Sequence, residues 1–193
     1  MNLKNSDNIG DYAFSNCKNL LDVYIKSCTS VGSGAFAYCS KLASLRFEWY
    51  YKTRMFGDGI TRGCNDLTSI SLPPNTKYKL INDMIIDTTE NSVKAAMKNA
   101  TSIPNGISRI TPYAFGDMHN TNITCPSSVT IIDGHAFDGC TELMSFYLPT
   151  PMISSVGEYA FNNCKQIRSI REIANNCKNI GSYAFSGCIS AND

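Results

Sequence analysis

Apolar and polar residues alternate along short stretches of this chain, and the alternation recurs. Val23 and Ile25 alternate with Asp22 and Tyr24, a pattern typical of a β-strand with one buried face. The same pattern returns in the pairs Leu45/Phe47, Ile70/Leu72 and Phe146/Leu148. The chain is therefore predicted to form a series of short, half-buried strands.

A second pattern, Ile/Val-Gly-x-x-Ala-Phe-x-x-Cys-x-x-Leu, precedes the strands. Its Phe and Cys stand three residues apart, which places both on one face of a short helical turn. Glycines such as Gly10 and Gly32 are expected to supply a backbone conformation that other residues adopt at a cost. The core residues predicted from this pattern are Phe14, Cys17, Phe36, Cys39, Cys64, Phe115, Phe137, Cys140, Phe161, Cys164, Phe185 and Cys188.

The spacing of the phenylalanines gives the period of the repeat. It is 22 residues from Phe14 to Phe36 and 24 residues from Phe137 to Phe161. Periods of about 20–29 residues with a short apolar strand are typical of leucine-rich repeat solenoids, whose stacked units share one core. The predicted fold is an α/β repeat, with a parallel sheet on one face and short helical turns on the other. Residues 1–193 form a single array of about seven units.

One segment, residues 78–101, interrupts the repeat. Apolar residues run from Tyr78 to Asp87, a polar stretch follows, and a second apolar run begins at Val93. Two short apolar runs around a polar turn favour an inserted β-hairpin. The alternative is a helix over residues 93–99, because Lys94 to Lys98 are good helix formers.

The nine cysteines fit the repeat better than a disulfide framework or a metal site. Six fill the core position three residues after the phenylalanine position. Cys28, Cys125 and Cys177 occupy positions at which other units have aliphatic residues. Free Cys behaves as a small hydrophobe, so all nine are predicted to be structural thiols. Thiols in a column form a line, whereas zinc needs a tetrahedron, and no cofactor is expected.

Charge and composition exclude several classes of function. Lys and Arg number 17 against 16 Asp and Glu, so the basic excess of a nucleic-acid binder is missing. The chain contains no apolar run of about 20 residues, which is the length that predicts a membrane helix. His135 occupies an aromatic position of the repeat and is interpreted as a packing residue. No Ser-, Cys- or His-based catalytic pattern is apparent, so no enzyme activity is predicted.

The repeat resembles the BspA-like leucine-rich repeat family, with its fullest match from Ser127 to Pro149. Thr61 at a phenylalanine position and Met118 at a cysteine position depart from the motif. The resemblance implies a secreted or cell-surface protein that binds host or matrix proteins or other cells. No signal peptide is visible, since the first seven residues lack an apolar region. The family resemblance gives no expectation for the oligomeric state.

The predicted function is a non-enzymatic recognition or adhesion scaffold that binds a protein or glycan on its exposed strand face. Two alternatives are a structural spacer in a larger surface protein and the frame of an enzyme module. Tyr, Trp and Arg are favoured at binding hot spots, although the only Trp has the alternative role of covering the core. The candidate binding residues are Tyr24, Arg46, Trp49, Tyr50, Tyr51, Tyr147 and Arg171.

Overall fold

The structure is a computed structural model, and it describes residues 1–4, 7–48, 55–74, 76–147, 153–168 and 170–190. The chain winds into a solenoid whose successive turns pair through parallel strands, which confirms the repeat fold. Its strands stand in two columns that we call the front column and the side column. Turn segments, which carry the Ala-Phe-x-x-Cys pattern, complete each unit.

The front column contains the strands predicted from the alternating pattern. Its first sheet, the front sheet, consists of β1 (Asn2–Leu3), β3 (Asp22–Ile25), β5 (Ser44–Phe47) and β7 (Ser69–Ser71). A second sheet pairs β12 (Asn122–Thr124) with β14 (Ser145–Tyr147). Val23 lies beside Leu45, and Leu45 beside Ile70, so these buried side chains form one row under the front sheet.

The side column was not predicted from the sequence. It begins with a three-stranded sheet of β2 (Asn8–Ile9), β4 (Ser30–Val31) and β6 (Met55–Phe56). It continues with the parallel strands β11 (Arg109–Ile110), β13 (Ile131–Ile132), β15 (Ile153–Val156) and β16 (Cys177–Ile180). Most of these strands have two residues, which is too short for a recognisable alternation.

The interruption forms antiparallel strands and not the alternative helix. They are β8 (Tyr78–Ile81), β9 (Met84–Asp87) and β10 (Ser92–Ala96). Asn82 and Asp83 turn the chain between β8 and β9 with φ angles of 50° and 60°, which Asn and Asp tolerate well. β10 then pairs in parallel with β11, so the inserted strands merge with the side column.

The turn segments contain less helix than the sequence suggested. The Cys140 N–H donates within its own turn to the Phe137 carbonyl at 3.2 Å, whereas the Phe137 N–H donates to Ala160 of the next turn at 2.8 Å. Bonds within a turn thus alternate with bonds to the neighbouring turn. Among the described residues the one α-helix is α1 (Ile170–Asn175), so helical turns are a minor part of the fold.

Each turn segment bends through two residues with positive φ, four positions apart. The first position holds Tyr12, Gly34, Gly59, Tyr113, His135, Tyr159 and Tyr183, and the second holds Asn16, Tyr38, Gly63, Asp117, Gly139, Asn163 and Gly187. The glycines predicted to supply this conformation are different ones, and that prediction was wrong. A Cβ on Gly32 would lie 2.5 Å from the Asp11 nitrogen, so Gly32 is needed because adjacent turns approach closely.

The phenylalanines of the repeat form a buried stack through the solenoid. Phe115 and Phe137 stack with ring centroids 4.8 Å apart, and Phe137 and Phe161 with centroids 4.9 Å apart. All three rings are at most 1% exposed, as the sequence predicted. Phe14 and Phe185, in the outermost turns described, are half-buried, so their predicted core position is only partly realised.

Candidate functional site

The exposed face of the front sheet brings two candidate binding residues together. Tyr24 lies beside Arg46, and Arg46 beside Ser71, in the register of β3, β5 and β7. Their neighbours Val23 and Leu45 are buried, so these three side chains point away from the core, as alternation along a strand requires. A polar row with one aromatic ring therefore crosses the front sheet.

A groove of about 450 Å³ lies on this face. The residues that line it are Tyr24, Arg46, Phe47, Glu48, Ser71, Leu72, Pro73 and Pro74. The Tyr24 hydroxyl donates a hydrogen bond to the Glu48 carboxylate, which fixes the direction of the ring. Within the described part of the chain, Arg46 forms no ion pair.

The other candidate binding residues do not join this groove. Tyr147 is 56% exposed on β14, where it pairs with Thr124 of the second front-column sheet. Arg171 was expected on a front-column strand, and this placement was wrong because the residue lies in α1. Trp49, Tyr50 and Tyr51 lie outside the described residues, so both interpretations of the Trp remain predictions.

The cysteines of the turn segments bond to the neighbouring turn. The Cys64 thiol donates to the Phe36 carbonyl at 3.0 Å, and the thiols of Cys140 and Cys164 donate likewise to the phenylalanine carbonyls of the preceding turns at 2.9 and 3.1 Å. Sequence reasoning explained this position by size alone and missed the hydrogen bond. The thiol satisfies a buried acceptor that alanine would leave with one bond fewer.

Burial also lowers the reactivity of several cysteine thiols. It raises the pKa of Cys64 and of Cys125 to about 12, and thiolates, not thiols, are the nucleophiles. All described cysteines are free. The prediction that all nine are buried was wrong for Cys17, which is exposed in the first turn segment, and holds only in part for Cys177 and Cys188.

His135 packs in an aromatic stack, as its repeat position indicated. Its ring lies between Tyr113 and Tyr159, at centroid distances of 4.8 and 5.2 Å. Its Nδ1 atom is 3.1 Å from the Asp138 carboxylate. Tyr183 extends the same stack at 5.1 Å from Tyr159, and we call these four rings the aromatic ladder.

A charged cluster around Arg62 lies next to the aromatic ladder. The Arg62 guanidinium pairs with Asp117 at 2.5 Å and with Asp138 at 3.3 Å, and it stacks 4.2 Å from the Tyr113 ring. Burial disfavours the charge of Arg62, but the hydrogen bond and charge of Asp117 outweigh it and raise its pKa. The sequence did not predict this cluster. Its one indication in the sequence was that the repeat unit containing Thr61 departs from the motif.

In residues 1–190, the gaps given above excepted, no group of three His, Cys, Asp or Glu side chains is placed to hold a metal ion. Over the same residues, no helix is long and apolar enough to cross a bilayer.

Comparison with known proteins identifies the family of the repeat. A family model described as BspA type leucine-rich repeat region, in six copies, matches residues 2–98 and 94–193. No curated protein matches the chain.

Two solved structures are similar to this chain. A leucine-rich cell surface protein from Faecalibacterium prausnitzii A2-165 is 18% identical, with a TM-score of 0.60 over 98% of this chain and 71% of that one. A T. pallidum leucine-rich repeat protein is 20% identical, with a TM-score of 0.49 over 97% of this chain and 84% of that one. The family model covers almost the whole sequence, and the chain therefore belongs to the BspA-type leucine-rich repeat family.

Proposed function

We propose that this chain is a non-enzymatic recognition scaffold that binds a protein or glycan partner at the groove of the front sheet. The observation that supports this proposal is the alignment of Tyr24 and Arg46 across paired strands beside a cavity of about 450 Å³. Tyr and Arg carry much of the binding energy at protein interfaces.

The chemistry of the groove suits a ligand with both apolar and polar groups. Tyr24 offers a flat ring, Arg46 offers several N–H donors in a fixed plane, and Glu48 offers a carboxylate acceptor. Pro73 and Pro74 stiffen one wall, because the proline ring fixes the φ angle. A site whose backbone is already ordered loses little entropy on binding.

The proposed setting is the cell surface. The Faecalibacterium structure of the same fold is named as a cell surface protein, and repeat arrays commonly use an extended face for binding. A structural spacer is the second candidate, because the continuous hydrogen-bonded turns would also connect other parts of a larger surface protein.

Binding assays with a matched control test the front sheet. Immobilised matrix proteins and glycans are screened against the wild-type chain, a Tyr24→Ala/Arg46→Ala variant and a Tyr147→Ala variant. We expect a partner that loses about 30-fold or more in affinity for the double variant, which corresponds to a hot spot of about 2 kcal/mol. Tyr147→Ala removes an exposed ring of the other front-column sheet and should bind as the wild type does.

The outcomes separate the candidate functions. A partner that binds all three folded proteins equally would place recognition on another surface. Retention of fold is checked by far-UV circular dichroism, since both substituted residues lie on the outward face of the sheet and removing them leaves the core intact. Absence of any partner across the screen would favour the spacer.

A further inference from the structure

One exposed turn joins the inserted strands to β11, and it contains the one asparagine of the chain that is followed by glycine, Asn105. The turn spans residues 104–107, and the Ile107 N–H donates to the Pro104 carbonyl across it. Gly106 has a φ angle of 85°, which is typical of the third position of a type II turn. Asn105 and Gly106 are both exposed. The asparagine side chain and the backbone nitrogen that follows it are therefore both accessible to water.

Long hydrogen bonds hold this turn. The bond from the Ile107 N–H to the Pro104 carbonyl is 3.4 Å long, and the Gly106 N–H donates to the Ser128 hydroxyl at 3.2 Å. Both distances exceed the usual 2.9–3.0 Å of an N–H···O bond. Regions held by weak, exposed hydrogen bonds open at a low cost in free energy. A small local opening therefore releases the Gly106 nitrogen.

The space around Gly106 leaves its nitrogen free to move. A Cβ at this position would have no atom within 4 Å, its chain neighbours excepted. Glycine also reaches backbone conformations that other residues adopt only at a cost. Once its N–H is released, the Gly106 nitrogen therefore reaches the Cγ atom of the Asn105 side chain without a steric barrier.

We propose that Asn105 is a site of spontaneous deamidation in the folded protein. Hydroxide removes the proton of the Gly106 amide, and the nitrogen forms a bond to Asn105 Cγ. The bond from Cγ to Nδ2 then breaks, and the leaving nitrogen takes a proton from water and departs as ammonia. A second water opens the succinimide ring at either carbonyl and gives aspartate or isoaspartate. The net change is the hydrolysis of one amide to a carboxylate, which needs no other reactant.

Ser128, from the next unit of the solenoid, controls the rate as a positioning residue. Its hydroxyl accepts from the Gly106 N–H and donates to the Ile107 carbonyl at 2.7 Å. The hydroxyl thus holds the reacting nitrogen in place and must release it before the nitrogen attacks. This hydrogen bond slows the reaction without preventing it, because both partners lie at the surface of the turn.

Deamidation changes both the charge and the length of the turn. Ile103 and Ile107 flank it and are 3% and 4% exposed, so the turn is fixed to the core on both sides. Isoaspartate carries the main chain through the former side chain and lengthens it by one atom. The longer turn fits poorly between the two anchored side chains, and the new carboxylate makes the chain more acidic.

The test is incubation of the purified chain at physiological pH and temperature, followed by peptide mass spectrometry and a methyltransferase assay specific for isoaspartate. We expect Asn105 to convert earlier than Asn91, with isoaspartate as a product. Asn91 is the internal control because the next residue, Ser92, is fully buried in β10 and paired with neighbouring strands on both sides.

Two variants separate the reacting residue from the residue that holds it. Ser128→Ala frees the Gly106 N–H and should speed the conversion about 5-fold, the factor for one ordinary hydrogen bond. Asn105→Ser should abolish the isoaspartate signal of the turn. This substitution is conservative, since the equivalent turn of the next unit carries Ser127 at this position. Far-UV circular dichroism checks that both variants retain the fold.

Three results would overturn the proposal. The first is a rate at Asn105 no higher than that at Asn91. The second is an isoaspartate signal that persists in Asn105→Ser. The third is conversion in urea with none in the folded chain, which would show that the turn protects the site. An unchanged rate in folded Ser128→Ala would contradict the role given to Ser128.

Discussion

The turns from Phe115 to Phe185 and the junction at Thr61 solve the same packing problem differently. In the first region each ring stacks on the next at 4.8–5.5 Å and each turn bonds to its neighbour. At the junction Thr61 stands in the ring position and β10 supplies the missing contacts. The groove of the front sheet borders this irregular region. Regular units stabilise the solenoid, and the departure from regularity shapes its surface.

Removing a ring from the regular region should have the largest effect. Phe137→Ala deletes a buried ring between two stacked neighbours, and we expect it to lower the free energy of unfolding by about 3–5 kcal/mol. Thr61→Ala, at the same repeat position, removes one hydrogen bond and should cost about 1 kcal/mol. Urea denaturation followed by circular dichroism measures both. A cost below about 1 kcal/mol for Phe137→Ala would contradict the placement of the core.

The glycine before the Ala-Phe step should matter only where another turn lies against it. A Cβ on Gly157 would lie 2.3 Å from the Gly134 nitrogen, whereas a Cβ on Gly10 has no atom within 4 Å. We expect Gly157→Ala to destabilise the chain by about 1–3 kcal/mol through overpacking. Gly10→Ala is the control, and its midpoint of thermal unfolding should stay within a degree or two of the wild type. Equal losses of stability in Gly157→Ala and Gly10→Ala would mean that glycine is needed for the local backbone conformation and not for the close approach of turns.

Thiol reactivity should separate the exposed Cys17 from the cysteines in the interior of the solenoid. Cys17 is exposed and should react with a maleimide reagent in the native protein at pH 8. Cys64 and Cys125, whose pKa values are raised to about 12 by burial, should react only after unfolding. Mass spectrometry of peptides after labelling identifies the modified sites. Rapid labelling of Cys64 or Cys125 in native conditions would show that the interior opens easily.

The sequence was sufficient for features that depend on local pattern. Val23 and Ile25 alternate with the exposed Asp22 and the half-buried Tyr24, and the position of Phe137 recurs at a nearly fixed period, so the strand face and the core were predictable. The polar stretch between Asp87 and Val93 likewise marked the inserted strands.

Features that depend on contact between turns were not predictable. Positive φ at Tyr113 is unfavourable for a tyrosine in isolation and arises in a turn that bonds to its neighbour. Arg62 and Asp117 are 55 residues apart in the sequence. Their pairing depends on how the inserted strands pack between two turns of the solenoid. The spacing of the repeat placed Arg171 at a strand position, but the residue lies in the helix α1, which replaces the strand there.

The alternation of hydrogen bonds in the turn segments has a mechanical consequence. Every second N–H is directed at the next turn, so the bonds between turns lie nearly along the axis of the solenoid. A pulling force applied along that axis loads these bonds lengthwise and only a few at a time, because each turn is held by its immediate neighbours. Under tension the solenoid should lengthen in successive small steps, one turn after another, and act as a compliant tether and not as a rigid strut.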